Sequence, residues 1–244
     1  IFRLKKRPKF NPLIVHYLRL SDLKKDCVLN NDFNKLYKKF CPGPLTFVLK
    51  LKKNSKISKL VTNHKSTLAV RFPKHIILKK LLSKINYPLA APSANISSKL
   101  SSVEAKDVKE EFGNKVSYIL DGGKSKIGIE STIVSLVNKP KILRLGGLDT
   151  LKIKNTLKKK IKIIINPSKL TVPGQSKLHY SPGIPVRMSI TRPYKNEAYI
   201  LIKKRKINSK NYFYISKNKN LNVAAKNLYS CLRKVKNKGY KSIA

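Results

Sequence analysis

STLAVRFPKHIILKKLLSKINYPLAAPSANIS, residues 66–97, carries the pattern from which the fold class follows. Thr67, Ala69 and Arg71 alternate with Leu68, Val70 and Phe72, the period of two that gives a strand two distinct faces. Pro73 interrupts it, and HIILKKLLSKI (75–85) then has the apolar density of a packed helix. The last ten residues contain no charge and mostly small side chains. Such residues let another body approach the backbone, and Ser93 and Asn95 offer it a hydroxyl and an amide. That body is either a helix or a ligand.

Working outward, NPLIVHYL (11–18) reads as a strand with Ile14 and His16 on one face and Leu13 and Val15 on the other. Asp32 is placed to cap a helix carrying Phe33, Leu36, Tyr37 and Phe40, which Pro42 stops. LTFVLKL (45–51), VSYIL, ESTIVSL and KILRL are strand-like. Ser101 and Glu104 form a capping-box pattern before a helix with Ala105, Val108 and Phe112, closed by Gly113. Strands interleaved with helices predict an α/β fold with a twisted, largely covered mixed sheet. Near residue 165 prolines and glycines replace apolar periodicity. A small C-terminal α/β, Rossmann-like unit follows, with strands AYILI (198–202) and NYFYIS. Its helix carries the stripe Leu221, Ala225, Leu228, Leu232 and Val235. The expected organisation is a larger α/β domain over 1–164, a linker over 165–183 and the C-terminal domain over 184–244.

The 244 residues suffice for a sizeable core. The formal net charge is +44, yet Arg supplies only nine of the 55 cations and lysines dot every segment. A basic chain invites a nucleic-acid partner. Lysine spread this evenly reads first as a compositional bias, and a weak nucleic-acid contact stays open. Cys27, Cys41 and Cys231 are far apart and make no CxxC, which argues against a disulfide framework or a zinc site. No apolar run nears a membrane span and no signal peptide is visible, so a reducing cytoplasm is expected. The chain opens IFRLKKRP without Met and in mid-element, so a fragment is expected.

Four stretches could carry chemistry. In KKRPKFNP (5–12) two cations, Lys5 and Arg7, lie just before a turn and a strand and suit a polyphosphate; the alternative is a solvated charge run. Arg71 needs an anionic partner if its strand is buried, and faces water if the strand is an edge. PLAAPSANIS is the third. DGGKSKIGIESTIV is the fourth, a glycine turn offering amides and the hydroxyls of Ser131 and Thr132 to an anion. No Walker A loop, G-x-G-x-x-G, G-x-S-x-G or metal-spaced His cluster is present.

Taken in order, K-x-R-P-x-x-N-P-L-I-V-H, PGPLTFVL, AVRFP, APSANIS, LDGG, GIESTIV and LR-x-G closely resemble the YrdC-like domain of threonylcarbamoyl-AMP synthases. PGQSKLHYSP and the βα unit after it resemble the long form of that family. The resemblance implies a nucleotidyltransferase that makes threonylcarbamoyl-adenylate and pyrophosphate from ATP, L-threonine and bicarbonate or CO2. Mg2+ comes with the ATP. A downstream threonylcarbamoyl transferase would pass the group to tRNA. Position by position, it implies ATP contacts from Arg7, Asn11, Thr67, Ser93, Ser101, Arg144 and Tyr180. Lys5 lies at the phosphates, with Lys5 and Arg7 in the catalytic role. His16, Arg71, Ala91 and Ser131 would hold L-threonine. Tyr180 in the linker implies a lid that closes over the site.

Three departures stand against the pattern. The family's P-T-E-T-x-Y-G-L would precede Ile1, SSKLSSV replaces S-G-x-x-S-P-T, and LRLGG replaces LRPG. An inactive fragment of the same fold and a basic RNA-binding module are the rival readings. A hydrogenase-maturation carbamoyltransferase shares the YrdC-like domain but would bring CxxC zinc motifs, which the sequence lacks.

Overall fold

The computed structural model describes residues 1–164, 172–175, 179–207 and 209–244. In chain order the elements are β1 (Ile14–His16), α1 (Leu20–Asp26), β2 (Cys27–Val28), α2 (Asn31–Phe40), β3 (Leu45–Leu51) and α3 (Lys59–Thr62). Then come β4 (Thr67–Arg71), α4 (Ile76–Lys84), β5 (Leu89–Ala90), α5 (Ala105–Phe112), β6 (Thr132–Ser135), β7 (Lys141–Arg144), α6 (Thr150–Leu157) and β8 (Lys162–Ile163). β9 (Tyr199–Leu201), β10 (Tyr212–Tyr214) and α7 (Leu221–Asn237) complete the order. The chain folds as two compact units, residues 1–92 with 130–177, and 93–129 with 178–244.

The first unit holds a mixed sheet in the order β5-β1-β4-β3-β6-β7-β8, with β2 on β3. β4 lies between β1, which is parallel to it, and β3, which is antiparallel. It is therefore not an edge strand. Alternation along each strand sorts the side chains as the sequence predicts. One face (Val15, Phe47, Leu49, Leu68, Val70, Phe72, Val134, Ile142) forms the main core with Leu23 of α1, Phe33 and Leu36 of α2, and Ile153 and Leu157 of α6. The other face carries a smaller apolar cluster of Ile14, Val48, Ala69, Ile133 and Leu143, joined by Val172.

The cap of α2 is Asn30, not Asp32: the Asn30 side chain accepts from Phe33 N at 2.9 Å. Asp32 is buried and accepts Lys159 Nζ at 2.7 Å, which ties α2 to the segment after α6.

In the second unit α7 packs over the parallel pair β9–β10, with Ala198, Phe213, Val235 and Ile243 at the centre. Of the predicted stripe, Val235 is buried and Leu228 and Leu232 pack partly buried against the unit's apolar clusters, with Ala224 and Tyr229 buried beside them, while Leu221 is 71% exposed. α5 forms and ends at Gly113, in the left-handed φ region, but the capping box does not form. Glu104 is the N-cap without a side-chain bond, and Asp107 takes Val103 N at 2.8 Å. VSYIL makes no strand, and its Tyr118 is 94% exposed. Among the described residues no helix is long and apolar enough to cross a membrane.

Candidate active site

The directions of five strands bring five polar side chains to one end of the second sheet face. β1 and β4 run parallel and end at His16 and Arg71, which are register partners. β3 runs against β4, so its first turn brings Thr46 opposite Arg71. β6 is parallel to β3 and pairs Ile133 with Thr46, so Ser131, two residues earlier, points to the same face. β7 returns antiparallel and places Arg144 beside Ile133. The side chains confirm this: Thr46 and Ser131 hydroxyls are 2.7 Å apart, and Arg144 Nη2 donates to Ser131 Oγ at 3.0 Å and to Ser131 O at 2.9 Å. Arg144 Nη1 also donates to Pro173 O at 3.1 Å.

The electrostatics favour an anion. Arg71 Nε donates to Gly43 O at 3.2 Å. Burial, then repulsion from Arg144, lowers the Arg71 pKa, partly opposed by Cys41 and Glu130. The two guanidiniums are thus close enough to repel, and an anionic ligand would relieve both. His16 differs: burial, then the Arg71 charge, holds its pKa down to about 4. Its ring is neutral near pH 7. Nδ1 lies 3.3 Å from Leu89 O, and a carbonyl only accepts, so Nδ1 carries the proton and Nε2 is left as an acceptor.

A second group lies before β1. Lys5, Arg7 and Asn11 are all buried, so KKRPKFNP is not a solvated charge run. Arg7 Nη2 donates to Asn11 Oδ1 at 2.8 Å and to Pro12 O at 2.7 Å, and Nε donates to Asn11 O at 3.2 Å. Thr67 begins β4 on the face that Arg71 ends. Four strand steps separate them, about 13 Å. That span suits a triphosphate at one end and a small amphoteric ligand at the other.

Ser131 owes its place to a glycine. A β-carbon on Gly146 would lie 2.4 Å from Glu130 O and 2.5 Å from Ser131 C, and Gly147 N donates to Glu130 O at 2.8 Å. The LRLGG turn thus presses directly on the backbone that presents Ser131.

The small-residue stretch is divided between the units. Leu89 and Ala90 pair with β1, and exposed Ala91 donates its amide to Ile14 O at 3.0 Å. Ser93, exposed, opens the second unit. Asn95 is buried, and its amide nitrogen donates to Ile96 O and Lys99 O, so it holds the loop. Ser101 is buried in the same unit. Tyr180 has a φ of 59° and stacks on Tyr229 at 5.7 Å within a small apolar cluster. Gly128, read as part of an anion-binding turn, instead meets a helix: a β-carbon there would lie 2.4 Å from Lys226 O of α7. Residues 165–171 and 176–178 of the expected lid, Lys177 among them, lie outside the described residues.

The site therefore gathers His16, Arg71, Ser131 and Arg144 from the predicted set, and Lys5, Arg7 and Asn11 as a second set. The sequence alone assigned no role to Thr46, and it held Gly146 only as the glycine of LR-x-G. The signal for Thr46 was one hydroxyl at the head of the apolar run over residues 45–49.

The model of the Sua5–YciO–YrdC family, described as "Telomere recombination", matches residues 1–146. The chain belongs to this family. A second family model, the threonylcarbamoyl-AMP synthase C-terminal domain, matches residues 140–244. The threonylcarbamoyl-AMP synthase of Pyrococcus abyssi is 39% identical over 197 residues, 76% of this chain and 56% of that protein. That of Schizosaccharomyces pombe is 33% identical over 236 residues, 84% of this chain and 58% of that one. The chain thus spans under two thirds of these relatives. The crystal structure of P. abyssi Sua5 complexed with L-threonine superposes with a TM-score of 0.89 at 31% identity, covering 99% of this chain and 76% of that one.

Proposed function

We propose that this chain is an L-threonylcarbamoyladenylate synthase, converting ATP, L-threonine and bicarbonate or CO2 into threonylcarbamoyl-AMP and pyrophosphate. The observation that carries this reading is the strand-end cluster of Arg71, Arg144, Ser131 and neutral His16. Arg71 and the Ser131 hydroxyl are donors for an amino-acid carboxylate. His16 Nε2 is an acceptor for a substrate hydroxyl or amine. Together they match an amino acid carrying a second hydrogen-bonding group, as threonine does.

In the reaction the threonine nitrogen bonds to CO2, losing a proton, and gives a carbamate. A carbamate oxygen then bonds to the α-phosphorus of ATP as the bond to the pyrophosphate oxygen breaks. Both partners are anions. Lys5 and Arg7 offset their repulsion and stabilise the charge that moves to pyrophosphate. Mg2+ enters bound to the triphosphate as part of the substrate. The product is an activated acyl-phosphate-type anhydride, which a transferase acting on tRNA would consume.

Pyrophosphate release is the direct test. It should require ATP, L-threonine and bicarbonate together, with threonylcarbamoyl-AMP detected by mass. Equal release without threonine sinks the assignment. Single alanine variants of Ser93, Ser101 and Tyr180, read by ATP affinity, test the remaining nucleotide roles that the resemblance implies.

A further inference from the structure

Ser131 Oγ accepts Arg144 Nη2 at 3.0 Å, because a guanidinium can only donate. Its other neighbour is Thr46 Oγ1 at 2.7 Å, where either hydroxyl could supply the proton. Burial decides which. Thr46 is 0% exposed, and among the described residues its hydroxyl has no other hydrogen-bond partner. If Ser131 donated to Thr46, the Thr46 proton would be buried with no acceptor, at the full desolvation cost. If Thr46 donates, its own proton is satisfied and both Ser131 lone pairs are filled. The Ser131 proton is then left over, on the face shared with Arg71.

We infer that Thr46 is a positioning residue for the amino-acid site, whose hydroxyl donates to Ser131 and so makes Ser131 an obligate donor to a substrate carboxylate oxygen. Thr46 is suited to this. It is the register partner of Arg71 on one side and of Ile133, two residues from Ser131, on the other. One buried hydroxyl thus sets the second donor beside the first. The inference rests on the synthase reading above for the identity of the ligand.

The test is calorimetric titration of L-threonine, and separately of ATP, into the full chain. Thr46→Val keeps the shape and removes the donor. The L-threonine Kd should rise about ten-fold, because Ser131 is freed to turn its proton away. The ATP Kd should stay within about two-fold. Thr46→Ser should restore L-threonine binding to within about two-fold. On a Ser131→Ala background, Thr46→Val should change the L-threonine Kd by less than about two-fold, since its effect runs through Ser131. Wild-type affinity in Thr46→Val, no rescue by Ser, or the full loss repeated on Ser131→Ala overturns the inference. A wild-type chain that binds no L-threonine overturns the synthase reading, and the ligand named here with it. Should Thr46→Val not melt like a folded protein, Thr46→Ala removes the same hydroxyl without adding an apolar branch and answers the same comparison.

Discussion

His16 reaches the strand-end cluster of the sheet face as an uncharged ring, and this fixes how the protein responds to acid. Its pKa is about 4 in the fold against 6.5 for the free side chain. Between those values the unfolded chain binds more protons than the folded one. Its contribution to stability is therefore complete above pH 6.5 and is lost as the pH falls toward 4. The loss reaches up to about 3 kcal/mol, at ~1.4 kcal/mol per pKa unit. Denaturant titrations at pH 4, 5.5 and 7 should show this slope, and His16→Gln should flatten it. An unchanged slope in the variant would mean that another group titrates. The strand faces that carry His16 and Arg71 were each legible from a period of two, but their pairing followed only from the family resemblance until the register of β1 and β4 was known. The neutrality of His16 was not legible, because burial is a property of the packed sheet. Thr46 escaped for a similar reason: a lone hydroxyl in LTFVLKL gains meaning only when β6 brings Ser131 alongside.

Two turns act as the jigs of the site. The N-terminal one is locked by Arg7, whose guanidinium joins Asn11 and the Pro12 carbonyl at the entry to β1. Arg7→Ala should therefore lose on the order of 10²-fold in rate and also about 1–3 kcal/mol of stability, by orphaning buried acceptors. Arg7→Lys keeps the charge but not the fork, so thermal melting and pyrophosphate release should separate the two roles. A silent Arg7→Ala would remove Arg7 from both. The second turn is LRLGG. Gly146→Ala would force a β-carbon to within 2.4 Å of Glu130 O, a backbone atom that cannot swing aside. L-Threonine affinity should fall while the ATP Kd changes little, and unaltered threonine binding would show that the turn yields without moving Ser131. Most strands and helices were legible because their periodicity is strong. VSYIL was misread because β-propensity describes a fit to a neighbouring strand, and none lies beside it. The capping box at Ser101 did not form because α5 starts later, with Glu104 itself as its N-cap and Asp107 taking Val103 N.

On the scale of the whole molecule, a unit assembled from separated segments leaves no compositional mark in a linear sequence. Residues 93–129 and 178–244 are internally one body, and the charges that join them show why. Arg233 of α7 donates to Leu100 O at 2.8 Å and stands 3.6 Å from Asp107 and 3.7 Å from Glu111, both nearly buried carboxylates of α5. Glu111 also accepts Ile96 N at 3.2 Å. In a chain of 55 cations and 11 acids, two acids here converge on one arginine. Removing that arginine leaves Asp107 without its counter-charge and Glu111 with only the half-exposed Lys99 at 3.5 Å, at a cost of about 1–3 kcal/mol. Arg233→Met keeps much of the apolar stem, so the change isolates the charge. Hydrogen exchange should then show lost amide protection across α5, the 96–103 loop and α7 together, with β3, β4 and β6 protected as before. A loss confined to α7, or spread evenly over the central sheet, would mean that this network is not what binds the two segments into one cooperative unit.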